Sequence, residues 1–335
     1  MKSQNKETGG PEVDLWAQAG AGLEALGPWS QRRPALLAAS GGADSTFLAL
    51  AFRDFAAAKD FALEAAVVDH GHRPGSGEEA QAAAALLRDL GYRVEVLAAG
   101  APPGANEDVL RRHRYAALRQ YGCHLDAGAL LFAHHADDQV ETLLLRLLRG
   151  TGLRGLAGMP SRRPLHPSTP EIEIRRPLLA LRRQAIREAL RARGQRWISD
   201  PSNRDPEAAA RNRLRLQLWP LWQQLASGDP VAALLRLIQE AEACQQGMTE
   251  LAEAGRRWQR PFSDWPVFVR RQWIAAELRA LQERPSPVRV AELEAALLRR
   301  GSAAVNGRWR LSLKGGFLSI QPRADPQEDS RKAPN

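Results

Sequence analysis

The chain has 335 residues, 44% of them hydrophobic, which is enough for two domains and excludes a disordered tail or a disulfide-stapled miniprotein. Its 47 lysines and arginines against 38 acidic residues give a formal net charge of +9. This charge indicates either a polyanionic partner such as nucleic acid or a GC-rich genome, since arginine codons are GC-rich. Two cysteines without a CxxC pair disfavour zinc knuckles and iron–sulfur sites, and the absence of a signal-like or membrane-spanning apolar run predicts a soluble, cytoplasmic protein.

Short apolar runs alternate with helical patterns over the first 150 residues. The predicted strands are 34–39, 63–68, 92–97 and 129–133, and the predicted helices are 45–59, 78–90, 107–121 and a last one that ends at Leu148. Such alternation is typical of βαβ units in a parallel sheet, where ligands bind at the carboxyl ends of the strands. Ser40, Asp69 and His134 each follow a predicted strand, so we expect them to converge on one crevice.

The rest of the chain has a less regular pattern. Residues 153–170, rich in Gly, Arg and Pro, are predicted to form a mobile loop, 171–175 an added strand and 184–193 a helix. Beyond about residue 206, leucine and tryptophan periodicity predicts mostly helix. The predicted organisation is a disordered leader at 1–12, an α/β domain at 13–215, a mainly helical domain at 216–322 and a disordered tail at 323–335.

The motif SGGADS, residues 40–45, lies between the first predicted strand and its helix. Its glycines allow a sharp turn close to a ligand, and the start of the helix offers free N–H groups to an anion. The Walker pattern GxxxxGK[ST] is absent, so this would be a phosphate-binding loop without a lysine. Because Asp44 would repel a bare phosphate, we expect it to hold a bridging Mg²⁺; the alternative is a carboxylate that stabilises the helix dipole.

Polar side chains also follow the second and fourth predicted strands. After the second strand, which ends at Asp69, His70 and Arg73 could point into the crevice, although a capped loop would have the same sequence. The fourth strand is followed by a cluster of candidate side chains at helical spacing: His134, Asp137, Asp138 and Glu141. Carboxylates at a helix start can bind a metal, an ammonium group or the helix dipole, and zinc is disfavoured because no third ligand motif is evident.

The segment ExxLRxxRY, residues 107–115, is predicted to be a helix that carries Arg111, Arg114 and Tyr115 on neighbouring positions. Spacing alone does not say which arginine would meet a ligand. A solvated basic helix face is the alternative.

Taken together, these segments resemble the tRNA(Ile)-lysidine synthetases, which belong to the N-type ATP pyrophosphatase, or PP-loop, superfamily. The matching motifs, in chain order, are SGGADS, VDHGHR, ExxLRxxRY, AHHADDQVET, LLRGTGLRGLAGM, RPLL and RNRLR. The resemblance implies a Rossmann-like PP-loop adenylation domain followed by a smaller, mainly helical tRNA- or substrate-binding domain. It also implies the short form of the family, without the last C-terminal domain.

The resemblance further implies ligation of free L-lysine to C2 of the wobble cytidine of tRNA(Ile) with a CAU anticodon. ATP would adenylate the cytidine with Mg²⁺ as cofactor, giving AMP and pyrophosphate. The implied catalytic residues are Asp44, His134, Asp137, Asp138 and Glu141. The implied ATP-binding residues are Ser40, Gly41, Gly42, Ala43, Asp44, Ser45, Asp69 and His70. The implied lysine- or tRNA-binding residues are Arg111, Arg114, Tyr115, Arg149, Gly150, Thr151, Gly152 and Arg211.

Two other functions are retained as alternatives. A PP-loop tRNA thiolase would use cysteines, but Cys123 and Cys244 lie in no motif. A noncatalytic tRNA-binding relative is disfavoured by the intact SGGADS and AHHADDQVET motifs. A homodimer is compatible with the sequence, which does not determine the oligomeric state. The arginines between residues 146 and 215 are predicted to supply most contacts to tRNA phosphates.

Overall fold

The computed structural model describes residues 14–71, 75–102, 104–198, 210–255 and 261–322. The predicted leader and tail lie outside these ranges, as does the end of the VDHGHR motif. The chain groups into two compact units, one within residues 1–150 and 158–238, the other within 151–157 and 239–335. In the described part of the chain, no helix is long and apolar enough to span a bilayer.

A six-stranded sheet forms the centre of the first unit. Its strands are β1 (Ala35–Ala39), β2 (Glu64–Asp69), β3 (Arg93–Ala98), β4 (Ala129–Leu131), β5 (Arg162–His166) and β6 (Thr169–Arg175). Their order in the sheet is β3-β2-β1-β4-β6-β5, and all neighbours are parallel except the β5–β6 pair. The predicted fold class is confirmed. The chain adds β2 and β3 on one side of β1 and then crosses to add β4 on the other side. The strand order therefore reverses next to β1, and folds of this kind bind ligands at such a point.

Helices flank this sheet and connect its strands. The helices of the first 192 residues are α1 (Leu15–Ala25), α2 (Ala43–Ala57), α3 (Ser76–Asp89), α4 (Glu107–His124), α5 (Ala136–Leu148), α6 (Leu153–Leu156) and α7 (Arg183–Ala192). The first unit continues through α8 (Ala210–Arg213), a π-helical turn (Leu214–Leu218), α9 (Trp219–Leu225) and the start of α10 (Pro230–Gly255). Phe47, Leu48 and Phe52 of α2 are fully buried with Leu37 of β1, and this apolar packing anchors the helix that follows SGGADS.

The predicted mobile loop at 153–170 is wrong. Residues 153–156 form α6, and β5 pairs with β6 as an antiparallel hairpin. Only Leu165 of β5 is buried, between Pro164 and His166, which are exposed, so the strand has a single buried apolar residue. The Gly, Arg and Pro content of the segment therefore led to the prediction of a loop where the structure has an edge strand. The added strand predicted at 171–175 is confirmed as part of β6.

The second unit is mainly helical, as predicted, and also contains a small sheet that was not predicted. Its elements after α10 are a 3-10 turn (Phe262–Asp264), α11 (Val267–Ala280), α12 (Pro287–Arg300), β7 (Ser302–Ala304), β8 (Trp309–Lys314) and β9 (Phe317–Pro322). The three strands are antiparallel in the order β7-β8-β9. Phe262, Ile274, Leu297 and Leu311 form the centre of its separate core. The strands were missed because they are short and β8 buries only Leu311 fully.

Candidate active site

The glycine loop between β1 and α2 is held in shape by its own hydroxyl groups. The Ser45 hydroxyl donates to the Gly42 carbonyl at 3.0 Å and accepts from the Ser40 amide at 3.3 Å. The Thr46 hydroxyl donates to the Gly41 carbonyl at 3.2 Å. Gly42 caps α2 without a side-chain hydrogen bond, so the first-turn amides of α2 remain available to an anion.

Gly41 adopts a left-handed conformation, with φ of 74°, and packs too closely for any side chain. A Cβ atom there would lie 2.8 Å from Cβ of Ala83 and 2.9 Å from Cδ1 of Ile198. The Ile198 amide also donates to the Gly41 carbonyl at 2.8 Å. The loop is therefore enclosed by α3 on one side and by the segment after α7 on the other.

Gly41→Ala is therefore expected to lower the free energy of unfolding by roughly 2–4 kcal/mol, combining left-handed strain with overpacking. Chemical denaturation would measure the loss. Gly91→Ala is the matched control, because Gly91 also has positive φ, 91°, but no atom lies within 4 Å of its built Cβ. An equal loss in both variants would show that close packing at Gly41 is unimportant.

A cavity of about 860 Å³ opens at the carboxyl ends of the strands. It is large enough for a nucleotide-sized ligand. Its polar lining comes from the loop, from two further strand ends and from α3, α4, α7 and the π-helical turn: Ser40, Asp44, Ser45, His70, Ser76, Glu79, Arg114, His134, Arg183, Arg187, Arg191 and Arg215. Asp69 lies beside it, and its Oδ1 accepts from the Gly71 amide at 2.9 Å and the Ser76 hydroxyl at 2.7 Å.

Asp44, on the first turn of α2, has one oxygen that contacts His135 and one oxygen without a partner among the described residues. Its Oδ2 lies 3.5 Å from Nε2 of His135, whereas the buried Oδ1 has no hydrogen-bond partner among the described residues. Burial would raise the pKa of Asp44, but His135, Arg183 and Arg187 outweigh that effect and lower it. The carboxylate is therefore ionised at neutral pH and can accept a cation at Oδ1.

A magnesium ion fits Asp44 only together with a phosphate ligand. Within the described ranges, no group of three His, Cys, Asp or Glu side chains could hold a metal on its own. Mg²⁺ is commonly bound by one or two carboxylates together with substrate phosphates. The unpartnered oxygen of Asp44, beside an anion-binding loop, meets that requirement.

His135, which the sequence reasoning did not select, connects Asp44 to α5. It caps α5 in a reciprocal arrangement, accepting from the Asp138 amide at Nδ1 (3.4 Å) and donating its own amide to Asp138 Oδ2 (3.1 Å). Its Nε2 lies 3.5 Å from Oδ2 of Asp44 and 3.3 Å from Nε of Arg183, so this ring nitrogen lies between an acidic and a basic side chain. Burial lowers the pKa of His135, but Asp44 and Asp138 outweigh burial and raise it. The His-x-x-Asp spacing of a capping box was the available sequence signal.

His134 faces the cavity in a different environment. Its Nδ1 accepts a hydrogen bond from Nε of Arg176 at 3.3 Å, and since arginine keeps its proton, Nε2 must carry the imidazole hydrogen. Burial, followed by the charges of Arg176 and Arg114, holds the pKa of His134 well below its usual value. His134 is therefore a neutral hydrogen-bond donor at physiological pH rather than an acid.

Glu141 on α5 is paired with two arginines. Arg215 binds it in a bidentate manner, with Nε 2.5 Å from Oε1 and Nη2 2.8 Å from Oε2, and Arg183 donates to Oε1 at 2.8 Å. Burial would raise the pKa of Glu141, but the hydrogen bond and charge of Arg215, assisted by Arg183, lower it. The sequence reasoning considered both arginines only as basic or motif residues, because their partner is 42 and 74 positions away.

Asp137 and Asp138 occupy the first turn of α5. Asp138 is part of the capping box and lies 3.5 Å from Nη2 of Arg215. Asp137 Oδ2 accepts the backbone amide of Arg183 at 2.8 Å, and its side chain is 22% exposed, more than that of Asp138 or Glu141. Asp137 is thus the most accessible carboxylate of the three.

Tyr115 of α4 begins a column of stacked rings that ends at His134. Its ring stacks on Phe132 with centroids 5.4 Å apart, and Phe132 stacks on His134 at 5.7 Å. The Arg111 guanidinium carbon lies 5.3 Å from the Tyr115 centroid and that of Arg114 lies 5.8 Å from it. Burial raises the pKa of Tyr115, but these arginines outweigh it and lower the pKa. The column gives one end of the cavity an aromatic and cationic wall.

Several further candidate residues lie outside the cavity lining, as do Asp137, Asp138 and Glu141. Arg211 connects α4 and α5, with Nε 3.7 Å from Glu107 and Nη2 donating to the Thr142 hydroxyl at 3.4 Å. Arg149 and Gly150 are exposed at the end of α5. Thr151 and Gly152 group with the second unit.

Residues 18–222 match a family model described as the PP-loop domain. The chain is 39% identical over 241 residues to a tRNA(Ile)-lysidine synthase of Hyphomonas neptunium, covering 70% of this chain and 64% of that protein. It is 32% identical to a tRNA(Ile)-lysidine synthase of Zymomonas mobilis, covering 76% and 75%. It is 37% identical to one of Thermus thermophilus, covering 86% and 57%. The matches therefore span between about half and three quarters of these relatives.

Proposed function

This chain belongs to the tRNA(Ile)-lysidine synthase family of PP-loop proteins, and from that premise we propose that it ligates free L-lysine to C2 of the wobble cytidine in tRNA(Ile) with a CAU anticodon, consuming ATP in the cytoplasm. One observation carries the proposal. A single cavity is lined by the Ser40–Ser45 loop, by His134 and by the two arginines that hold Glu141. Anion binding and a hydrogen-bond donor therefore meet in one cavity, and Arg183 and Arg215 connect that cavity to the acidic cluster of α5.

In the first step, O2 of the cytidine attacks the α-phosphorus of ATP, the bond between the α- and β-phosphates breaks and pyrophosphate leaves. The α2 amides and the hydroxyls of the glycine loop would hold the phosphates. When bound, Mg²⁺ would be held by Asp44 and would neutralise phosphate charge. His134, kept neutral with a hydrogen on Nε2, can donate to a pyrimidine carbonyl and orient the base.

In the second step, the ε-amine of lysine attacks C2, the bond between C2 and the AMP oxygen breaks, and the new nitrogen loses a proton. The amine must be unprotonated to attack, so a nearby carboxylate that binds the ammonium and accepts a proton is useful. We assign that role to Asp137, the most exposed carboxylate of the three. Glu141 would keep Arg183 and Arg215 in position.

Incorporation of labelled lysine into tRNA in the presence of ATP tests the proposal directly. We expect lysine to become acid-stably attached to tRNA(Ile) with a CAU anticodon and not to a transcript carrying uridine at the wobble position. A thiolase would leave lysine free and would incorporate sulfur. A noncatalytic relative would bind the tRNA and incorporate neither.

We propose that the arginines between residues 146 and 215 contact tRNA phosphates. Arg162 donates to Glu173 at 2.7 Å and remains 42% exposed, while Arg163 lies 5.8 Å from the Tyr115 ring. Replacing both with alanine is expected to reduce the log–log salt dependence of tRNA(Ile) binding by about 0.7–0.9 for each phosphate that is no longer neutralised. The comparison is a chain truncated after Pro322. A flatter slope in the truncated chain, with no change in the double variant, would contradict the assignment.

A further inference from the structure

Three arginines form a row along one face of α7. Arg183, Arg187 and Arg191 recur at every fourth residue, which places them on the same side of a helix, and all three line the 860 Å³ cavity. Ile186 and Leu190 are fully buried in the core of the first unit. Because these apolar side chains fix the rotation of α7, the arginine row is held facing the glycine loop.

The members of this row differ in how far their charges are already neutralised. Nη2 of Arg183 donates a hydrogen bond to Oε1 of Glu141 at 2.8 Å. Arg187 makes no hydrogen bond or ion pair within the described part of the chain, yet its charge acts on Asp44 across the cavity. Arg191 lies 5.9 Å from the Trp197 ring, an interaction that leaves its charge uncompensated. Both Arg187 and Arg191 are exposed, so they lie on the open side of the cavity.

Two of the cavity's other arginines, Arg183 and Arg215, are already paired with carboxylates, and the third, Arg114, lies beside the Tyr115 ring. The cavity lining includes no lysine, and Asp44 and Glu79 add negative charge. Arg215, like Arg183, is paired with the acidic residues of α5. A triphosphate entering this space would meet strong repulsion unless free cations faced it.

We propose that Arg187 and Arg191 bind the β- and γ-phosphates of ATP and so replace the lysine that Walker-type loops contribute. The open side of the cavity is where the leaving pyrophosphate must depart to solvent, and arginine forks suit phosphate oxygens. This inference rests on the proposed function, because it takes ATP as the nucleotide. It adds two residues that the motif reasoning did not identify.

The test is nucleotide affinity measured by calorimetry with Mg²⁺ and without tRNA, for wild type, Arg187→Gln, Arg191→Gln and the double variant. Charge-assisted hydrogen bonds are strong, but solvent weakens those of exposed arginines, so we expect each single change to raise the Kd for ATP up to about tenfold. The double variant should raise it by roughly 10–100-fold, whereas the Kd for AMP should change less than about threefold.

Arg88→Gln is the matched control, since Arg88 is an exposed arginine of α3 that is not among the residues lining the cavity. Its ATP affinity should equal that of wild type, and circular dichroism should show all variants folded. Unchanged ATP affinity in the double variant, or an equal loss for ATP and AMP, would overturn the inference alone. A wild-type protein that does not bind ATP would overturn the proposed function as well.

Discussion

Asp44→Ala is expected to slow ATP–pyrophosphate exchange, measured with tRNA present, by roughly 10²–10³-fold, the range seen when a single electrostatic stabiliser of a developing charge is removed. The expectation follows from the two oxygens of Asp44. One is directed at His135, 3.5 Å away, and the other is buried without a hydrogen-bond partner among the described residues. Alanine would remove the cation ligand and one of the acidic neighbours of His135.

Asp54→Ala is the control for Asp44→Ala, because it removes a carboxylate from the same helix whose ion pairs, among the described residues, are with the surface arginines Arg53 and Arg193. That variant should exchange pyrophosphate at the wild-type rate. If Asp44→Ala retained a rate within about threefold of wild type, Asp44 would have to be removed from the proposed chemistry. The fold and the anion-binding loop would be unaffected by that result.

Substitution of two carboxylates of α5 is expected to produce the second large effect: at Asp137 on the lysine kinetics, and at Glu141 on stability. Asp137→Asn should raise the KM for lysine about tenfold or more and cause adenylated tRNA to accumulate, because the amine would lose its ionic partner. Its stability should change by less than about 1 kcal/mol. Rapid quenching with labelled ATP would follow the intermediate. Wild-type lysine kinetics in this variant would remove Asp137 from the second step.

Glu141→Gln should instead destabilise the protein, by roughly 2–3 kcal/mol. The value is below the range for a fully buried pair because the Arg215 side chain is 26% exposed. The pKa of Glu141 is lowered in the folded state, so its stabilisation is complete at neutral pH and is lost as pH falls through the folded pKa, below the ordinary value of 4.5. Denaturation curves of the variant should therefore lose part of the acid dependence that wild type shows. Glu188→Gln, an exposed carboxylate of α7, should keep it.

The parallel sheet could be predicted because apolar runs at β1, β2 and β4 are short, regular and followed by polar residues. The same reasoning placed Ser40 and His134 at one sheet edge, where both line the cavity. It did not distinguish His134 from His135. These neighbours point in different directions because His135 caps α5 while His134 stacks on Phe132, and orientation within a dipeptide depends on the tertiary packing around it.

Ion pairs between residues far apart in the chain could not be predicted from sequence spacing either. Arg183 and Arg215 neutralise Glu141 from elements that follow it by 42 and 74 residues, and neither distance corresponds to a local repeat. The β5–β6 hairpin was missed because a single buried leucine gives no period-two pattern. Pairings of this kind are determined by packing of the complete first unit.

The hydrogen bond between the Ile198 amide and the Gly41 carbonyl determines when, during synthesis, the glycine loop can be completed. During synthesis, the glycine loop leaves the ribosome long before residue 198 does. Interactions between such distant parts of a chain incur a loop-closure cost and form late in folding. The nascent amino-terminal half therefore carries an incomplete loop, open on the side that Ile198 later covers. Unlike a phosphate-binding loop contained within one βα unit, this one matures only after α7 has been translated.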